Sequence, residues 1–252
     1  MKTISCFIKT LKENIRDWKI LILVLLFAPF FVYLMHFYYL NAESAGISAD
    51  DFNAYIPALI VMGIIMIIFT TGASIVREIE KDTITRLSLS KLRSSGFMTA
   101  VSMNQIIIGL LCLILTLFAA FSIGYKTSGS ILLFFLTGIL TCFSVISISI
   151  ITACFIRTMF GLLTLGCFPF FILVFFSDCF FPVPKINLVR IAGNQVYLTD
   201  ILPTATGTRV FNEILNHNAG FQDIFFELIW ILVLSLAYFA IGVWLFRRKY
   251  RY

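Results

Sequence analysis

One short segment, residues 77–97, is rich in charged side chains and reads REIEKDTITRLSLSKLRSSGF. It carries five basic and three acidic side chains and lies between two strongly apolar runs. Charges arranged in this way can pair with another protein surface, where they set orientation and register more than affinity. A loop that is only solvated would not need the apolar residues that the segment also contains, so the pattern favours a docking element. Those residues are Ile79, Ile84, Leu87, Leu89 and Leu92.

Motifs for catalysis or for binding a nucleotide or metal are missing from the sequence. There is no Gly-x-x-x-x-Gly-Lys-Ser/Thr segment, so the chain cannot hold ATP in a P-loop. Neither H-E-x-x-H nor G-x-S-x-G occurs, and the two histidines are far apart. The six cysteines form no C-x-x-C pair, which favours buried hydrophobic residues over disulfides or metal ligands. We therefore expect no enzyme activity and no cofactor on this chain.

The composition identifies the protein class. The chain has 252 residues, of which 60% are hydrophobic and only 13% are charged, whereas soluble domains carry about 25% charged residues. A single soluble core cannot absorb this much apolar surface. The sequence therefore predicts an integral membrane protein. Its apolar runs lack the chain of Asp, Glu or His side chains that a proton relay needs, which weakens a proton-coupled carrier.

We predict an all-α fold with six membrane-spanning helices, because six runs approach the ~20 apolar residues that cross the hydrocarbon layer. The runs are continuously apolar, and a membrane β-barrel would alternate. Residues 20–252 are predicted to form one transmembrane domain, with Pro57 in the first turn of the second span. The predicted spans are residues 20–40, 55–76, 98–124, 131–156, 158–182 and 224–246.

The basic residues predict the orientation of these spans. Fifteen of the 19 Lys and Arg residues fall in the two termini, the 77–97 loop and the turn at Arg157. Because basic loops stay on the cytoplasmic side, we expect both termini and the 77–97 loop in the cytoplasm of a multi-pass plasma-membrane protein. The net charge of +6 is then a topology signal and a contact with lipid headgroups, and no nucleic-acid partner is expected.

The N-terminal segment, residues 1–19, is predicted to be an amphipathic helix in the cytoplasmic headgroup layer. Apolar residues recur at spacings of three and four from Ile4 to Trp18, and Lys2, Lys9 and Arg16 lie on the other face. A basic leader without this structure is the alternative.

The segment between the fifth and sixth spans, residues 183–223, is predicted to hold short outer or re-entrant helices. Asp178 lies among four phenylalanines just before Pro182, so the fifth span is expected to end early. A lone carboxylate at membrane depth is usually functional, but an interfacial Asp that caps a short helix is an open alternative. A helix over residues 206–216 is expected, with Thr206 or Thr208 at its start.

Together these features resemble the membrane subunits of ATP-binding-cassette exporters of the type-2 permease family, over essentially the whole chain. The family's cytoplasmic loop reads E-x-E-x-G-T-x-x-x-L-x-x-T-P, although Asp82 stands at its glycine here and Lys91 at its proline. The matching residues are Glu78, Glu80, Thr83, Arg86, Leu87 and Ser90. The outer segments FFPVP and LPTATGTRVFNEI are similar to the family's as well, and they place Pro182, Pro203 and Arg209 at matching positions.

The resemblance implies two permease chains, identical or different, bound to two ATPase subunits that carry the ATP and Mg²⁺. The 77–97 loop would dock on the ATPase, with Asp82 capping a helix that starts at Thr83 and with Glu78 and Glu80 in rim pairs. The predicted coupling residues are Glu78, Glu80, Asp82, Thr83, Arg86 and Leu87. The residues assigned to an outer gate or re-entrant segment are Asp178, Phe181, Pro182, Pro203 and Arg209.

The function expected from this resemblance is the permease of an ATP-driven exporter with a hydrophobic or amphipathic cargo, such as a drug, a peptide or a lipid-linked molecule. In the family, the first, second and fifth spans line the route, so aromatic residues of the first and fifth are candidates for the substrate path: Phe27, Phe31, Phe171 and Phe175. These rings could equally face lipid. An ATP-independent carrier or channel is the main alternative function, followed by a membrane enzyme or a scaffold.

Overall fold

The computed structural model describes residues 2–42, 49–81, 94–127, 129–179, 183–184, 186–191 and 194–250. Within these ranges the chain is almost entirely helical, with one small β-hairpin. The helices and strands are α1 (Lys2–Arg16), α2 (Trp18–Ala42), α3 (Ala49–Ile65), α4 (Ile67–Glu80), α5 (Ser94–Ser122), α6 (Ile131–Phe155), α7 (Met159–Leu165), α8 (Cys167–Phe176), β1 (Asn187–Ile191), β2 (Asn194–Tyr197), α9 (Pro203–His217) and α10 (Phe221–Lys249).

The prediction of an all-α membrane protein is confirmed. Six helical segments in the described part of the chain are long and apolar enough to cross a membrane. The second consists of α3 and α4, and the fifth of α7 and α8. Their bounds are Trp18–Asn41, Phe52–Glu80, Ser94–Ser122, Ile131–Phe155, Met159–Phe176 and Phe221–Lys249. The amphipathic helix α1 precedes them, and its location in the headgroup layer stays a prediction.

The second span is the centre of the bundle. Of its most apolar window, 94% is buried inside the chain, against 22% for the first and fifth spans and 28% for the sixth. The third and fourth spans pack between these extremes. Close helix contact is achieved with small residues: a Cβ atom at Gly63 of α3 would lie 2.6 Å from the Cβ atom of Ala28 in α2. The first, fifth and sixth spans therefore present most of their apolar surface outward.

The second span begins earlier than the sequence suggests. Pro57 was expected in its first turn, but α3 starts at Ala49 and Pro57 lies in the helix interior. A proline there removes the hydrogen bond to the carbonyl four residues earlier, which is that of Asn53. The side-chain amide of Asn216 in α9 donates to this carbonyl at 3.4 Å. A distant side chain thus replaces the missing backbone donor, and the helix continues.

The fifth span ends early, as expected, and is divided at Gly166. Pro169 follows three residues later; its ring conflicts with the carbonyl of Leu165, the last residue of α7. Helix α8 then ends at Phe176, six residues before the predicted end of the span. The short length of this span leaves room for the segment that follows to fold against the bundle.

That segment contains elements that the sequence interpretation did not foresee. Strands β1 and β2 pair in an antiparallel hairpin, and a 3₁₀ turn (Leu198–Ile201) connects β2 to α9. The predicted short helix exists, but the expected start at Thr206 or Thr208 is wrong. Helix α9 begins at Pro203, because proline suits the first helical position, and both threonines are buried in its interior.

Helix α1 and the end of α10 lie at the same end of the bundle, together with the end of α4 and the start of α5. The Arg247 guanidinium donates to Ser95 Oγ at 3.3 Å, and Lys9 contacts Glu78. We call this end the basic end. The hairpin and α9 lie at the opposite end, near the start of α3.

Candidate functional site

At the basic end, helix α1 is attached to the last turns of α4 by polar contacts. Lys9 Nζ lies 2.6 Å from Glu78 Oε1, and Glu78 is only 4% exposed. Arg77 forms a salt bridge with Asp17, the residue that follows α1. Because Glu78 and Arg77 lie just before the 82–93 segment, α1 and the start of the 77–97 loop are joined as one unit.

The ionisation of Lys9 is consistent with a firm pair. Burial by itself would lower the pKa of the Lys9 ammonium, but its hydrogen bond with Glu78 and the attraction of that carboxylate outweigh the burial and raise the pKa. The ammonium is therefore fully charged at neutral pH. Because the pKa of the folded state is raised, the contact weakens only as the pH rises above the ordinary lysine range.

A buried polar network continues from this contact into the bundle. Ser74 Oγ of α4 donates to Asn14 Oδ1 of α1 at 3.2 Å. Gln105 of α5 donates to Ser74 Oγ at 3.1 Å and accepts a hydrogen bond from Thr70 Oγ1 at 2.8 Å. These side chains are buried and tie α1 to the second and third spans, and a broken hydrogen bond at a buried position is not readily replaced by one to bulk water. The network makes α1 an integral part of the basic end.

The predicted coupling residues are only partly within the described chain. Glu78 is buried against α1, so it differs from the expected rim residue, whereas Glu80 is exposed at the end of α4. Asp82, Thr83, Arg86 and Leu87 lie outside the described residues. The contact of all six with an ATPase stays a prediction.

At the opposite end, a buried ion pair connects the 3₁₀ turn to α9. Arg209 Nη1 lies 3.2 Å from Asp200 Oδ1, and the Asp200 side chain is 3% exposed. Asp200 also accepts hydrogen bonds from the backbone N–H of Tyr197 at 2.9 Å and from Thr206 Oγ1 at 3.3 Å. A carboxylate with this many donors is stable in a buried position. The pair fixes α9 against the hairpin.

A cavity of about 490 Å³ opens beside this ion pair. It lies between α3, α9 and the segment after α8. Small-molecule sites in proteins have volumes of ~300–1,000 Å³. The residues that line it with polar or aromatic groups are Tyr39, Tyr55, Asp178, Tyr197, Thr199, Asp200, Thr208, Arg209 and Asn212.

Of the five residues predicted for an outer gate or re-entrant segment, Asp178 and Arg209 line the cavity. Asp178 is exposed and has a φ of 55°, and its Oδ1 atom accepts a hydrogen bond from the backbone N–H of Val183 at 2.5 Å. It therefore stabilises the turn after α8. Pro203 is the first residue of α9 and is buried, whereas Phe181 and Pro182 lie outside the described residues. The gating role of these five residues stays a prediction.

The four residues predicted for the substrate path form two aromatic pairs, one on the first span and one on the fifth. The ring centroids of Phe27 and Phe31 in α2 are 4.8 Å apart, and those of Phe171 and Phe175 in α8 are 5.9 Å apart. The α8 pair is about half exposed and the α2 pair is partly buried. Lipid, cargo or a second permease chain could cover these surfaces equally well.

Two ion pairs of the candidate sites are not predicted by the sequence interpretation. Lys9 was assigned only to a polar helix face, and Asp200 was not singled out, although an Asp three residues before a helix-starting proline is a recognisable turn signal. The ion pairs of both residues join parts of the chain that are 69 and 9 residues apart, and no local pattern encodes the longer one. Among the described residues, no group of three His, Cys, Asp or Glu side chains could hold a metal ion.

Comparison with known families agrees with this architecture. The family model of the ABC-2 type transporter matches residues 1–199, from α1 through the second strand of the hairpin into the 3₁₀ turn. Comparison with curated proteins gives no match. The match extends over well more than half of the chain and includes five of its six spans. The chain belongs to the ABC-2 type transporter family.

Proposed function

We propose that this chain is the permease subunit of an ATP-driven exporter in the plasma membrane. Membership of the ABC-2 family makes it a multi-pass membrane component of a transport complex, and such permeases generally pair with an ABC ATPase subunit. Two permease chains would associate with two ATPase subunits, which would bind ATP and Mg²⁺. Both termini and the 77–97 loop would face the cytoplasm.

The observation that carries the proposal is the attachment of α1 to the second span. ATP-driven closure of the ATPase subunits would push on the 77–97 loop, which starts directly after Glu80. Because Glu78 and Arg77 are paired with Lys9 and Asp17, a displacement of the loop would move α1 and the second span together. The second span is the most buried helix of the bundle, so its movement is transmitted to its neighbours. Glu78 would therefore act on coupling from inside the chain.

The proposed cargo is hydrophobic or amphipathic. Cargo would pass between the two permease chains, along the outward surfaces of the first and fifth spans where the two phenylalanine pairs lie. These spans are the least buried of the described chain, so their apolar surface is open to a second permease chain.

Transport in inside-out vesicles tests the proposal. Vesicles that contain the permease and its ATPase should accumulate an amphipathic fluorescent dye with ATP and not with ADP. Replacement of Glu78 by Ala should lower the amount of dye moved per ATP hydrolysed while all six spans remain inserted. Equal transport with ATP and ADP would refute the ATP-driven mechanism and favour a carrier or channel.

A further inference from the structure

The side chains that line the cavity, at the end of the bundle opposite the basic end, favour a ligand of one charge. We propose that it binds hydrophobic organic cations. The proposal deepens the proposed function, on which it rests for any role in transport, by naming a class of cargo. Binding itself needs neither ATP nor the ATPase subunit.

The first argument is the charge balance of the cavity wall. Asp178, Asp200 and Arg209 are the ionisable acidic and basic residues among the described ones that line it, and together they carry one net negative charge. Arg209 is already compensated, because its two terminal nitrogens contact the Asp200 carboxylate at 3.2–3.4 Å. The remaining charge belongs to Asp178. None of the ion pairs formed by the described residues involves this side chain.

The second argument concerns the aromatic wall. The rings of Tyr39 and Tyr55 line the cavity, and their centroids are 5.9 Å apart. Tyrosine faces attract organic cations, whose weak hydration makes transfer from water inexpensive. The ring of Tyr197 already performs this function inside the protein, since the Arg209 guanidinium carbon lies 5.5 Å from its centroid. A ligand cation would find the same type of surface at the other two rings.

The third argument excludes the opposite charge. An anion would need Arg209, but that guanidinium is held by a carboxylate that is 3% exposed and has two further hydrogen-bond donors. Withdrawing Arg209 from Asp200 would leave a buried carboxylate without its cation, which is strongly unfavourable. An anion would also be repelled by Asp178. The cavity therefore favours a cation with an apolar or aromatic body.

Two ions of the same shape and opposite charge test the inference. The full-length chain is placed in lipid nanodiscs without ATPase, and binding of tetraphenylphosphonium and tetraphenylborate is measured by equilibrium dialysis. Empty nanodiscs of the same lipid give the contribution of membrane partition. We expect saturable binding of the cation at one site per chain and no binding of the anion above the blank.

Variants then locate the site. Asp178→Asn should weaken binding of the cation about fivefold, in the range of partly exposed ion pairs, and its amide oxygen can still accept the hydrogen bond from Val183. Asp223→Asn removes the same charge at the same end of the bundle, outside the cavity, and should have no effect. Tyr55→Leu should weaken binding two- to threefold, whereas Tyr55→Phe, which keeps the ring, should bind as the wild type does.

The inference is overturned if Asp178→Asn binds the cation as tightly as the wild type, if the borate competes for the same site, or if no saturable binding occurs. A thermal melt of each variant shows whether it is folded. If Asp178→Asn does not fold, the comparison of Tyr55→Leu with Tyr55→Phe decides, and equal binding by these two refutes the site. Intact binding without ATP-dependent transport would instead contradict the proposed function.

Discussion

The contact between Lys9 and Glu78 makes a quantitative prediction about the attachment of α1. Replacing Glu78 by Gln keeps the size of the side chain and an oxygen that can accept from Lys9, but it removes the charge. The pair has one buried and one partly exposed member, since Glu78 is 4% exposed and the Lys9 side chain 45% exposed. Loss of the charge should therefore favour separation of α1 from α4.

The expected magnitude follows from this asymmetry. Hydrogen bonds to charged groups contribute about 1.5–3 kcal/mol when they are shielded from water, and exposed ion pairs contribute about 0.2–1 kcal/mol. With Lys9 nearly half exposed, the loss is about 1 kcal/mol. The population in which α1 is separated should rise about fivefold.

Cys6 is a native reporter of this separation. It lies on α1, is 7% exposed, and burial raises the pKa of its thiol. The rate of its reaction with a maleimide, read at Cys6 by mass spectrometry, should increase about fivefold in Glu78→Gln. Cys142, which is completely buried, should stay unlabelled in both proteins.

Two controls separate detachment from other causes. Glu78 also raises the pKa of the Cys6 thiol, so labelling is followed up to the pH at which the rate stops rising because the thiol is fully ionised. A pKa change alone does not raise this plateau rate, whereas detachment does. Glu80→Gln removes the same charge from an exposed neighbour and should leave the rate unchanged. An unchanged rate in Glu78→Gln, or an equal increase in Glu80→Gln, would refute the reasoning.

Three further predictions concern packing, the outer ion pair and pH. Gly63→Val places a branched side chain where even a Cβ atom would lie 2.6 Å from an alanine of α2. The variant should lower the free energy of unfolding by about 1–3 kcal/mol, measured by denaturation in detergent. An unchanged free energy of unfolding would contradict the close contact. Arg209→Met should destabilise the protein by about 3 kcal/mol, because it removes the cation of the buried Asp200, and Arg209→Lys should recover part of this loss in the same assay. A Met variant as stable as the wild type would argue against the ion pair. Burial raises the pKa of Tyr125 to about 12, so the phenol lowers stability only as the pH rises from about 10 through 12; Tyr125→Phe should flatten this alkaline decline, and an identical decline in the variant would exclude the group.

The spans could be predicted from the sequence because their signal is local. About twenty consecutive apolar residues suffice to define a crossing helix, and each of the six predicted spans overlaps an observed one. The ends were less predictable. Pro57 suggested a helix start by a local rule, but the hydrogen bond from Asn216 to the Asn53 carbonyl allows the helix to pass through it. That compensation depends on α9, which is more than 150 residues away.

The hairpin could have been predicted from the sequence, because residues 187–197, NLVRIAGNQVY, have β-branched residues on both sides of Gly-Asn. The candidate sites were harder to predict, because they depend on tertiary contacts. The family resemblance pointed to Arg209 but not to its buried partner. Likewise, Glu78 was identified by its position in a motif, whereas its burial against Lys9 is a tertiary fact. Patterns in the chain selected the candidate residues, and the fold determines what these residues contact.

The central claim, that a separate ATPase drives this permease, is tested most directly by the composition of the purified complex. The chain is co-expressed with the products of its chromosomal neighbours and purified through a tag on the permease, and the mass of the purified complex is measured in detergent-free nanodiscs. We predict a complex of two permease chains and two ATPase subunits that loses the ATPase when Leu87 is replaced by Glu. A permease that is purified without any ATPase and still transports dye after ATP depletion would contradict the account.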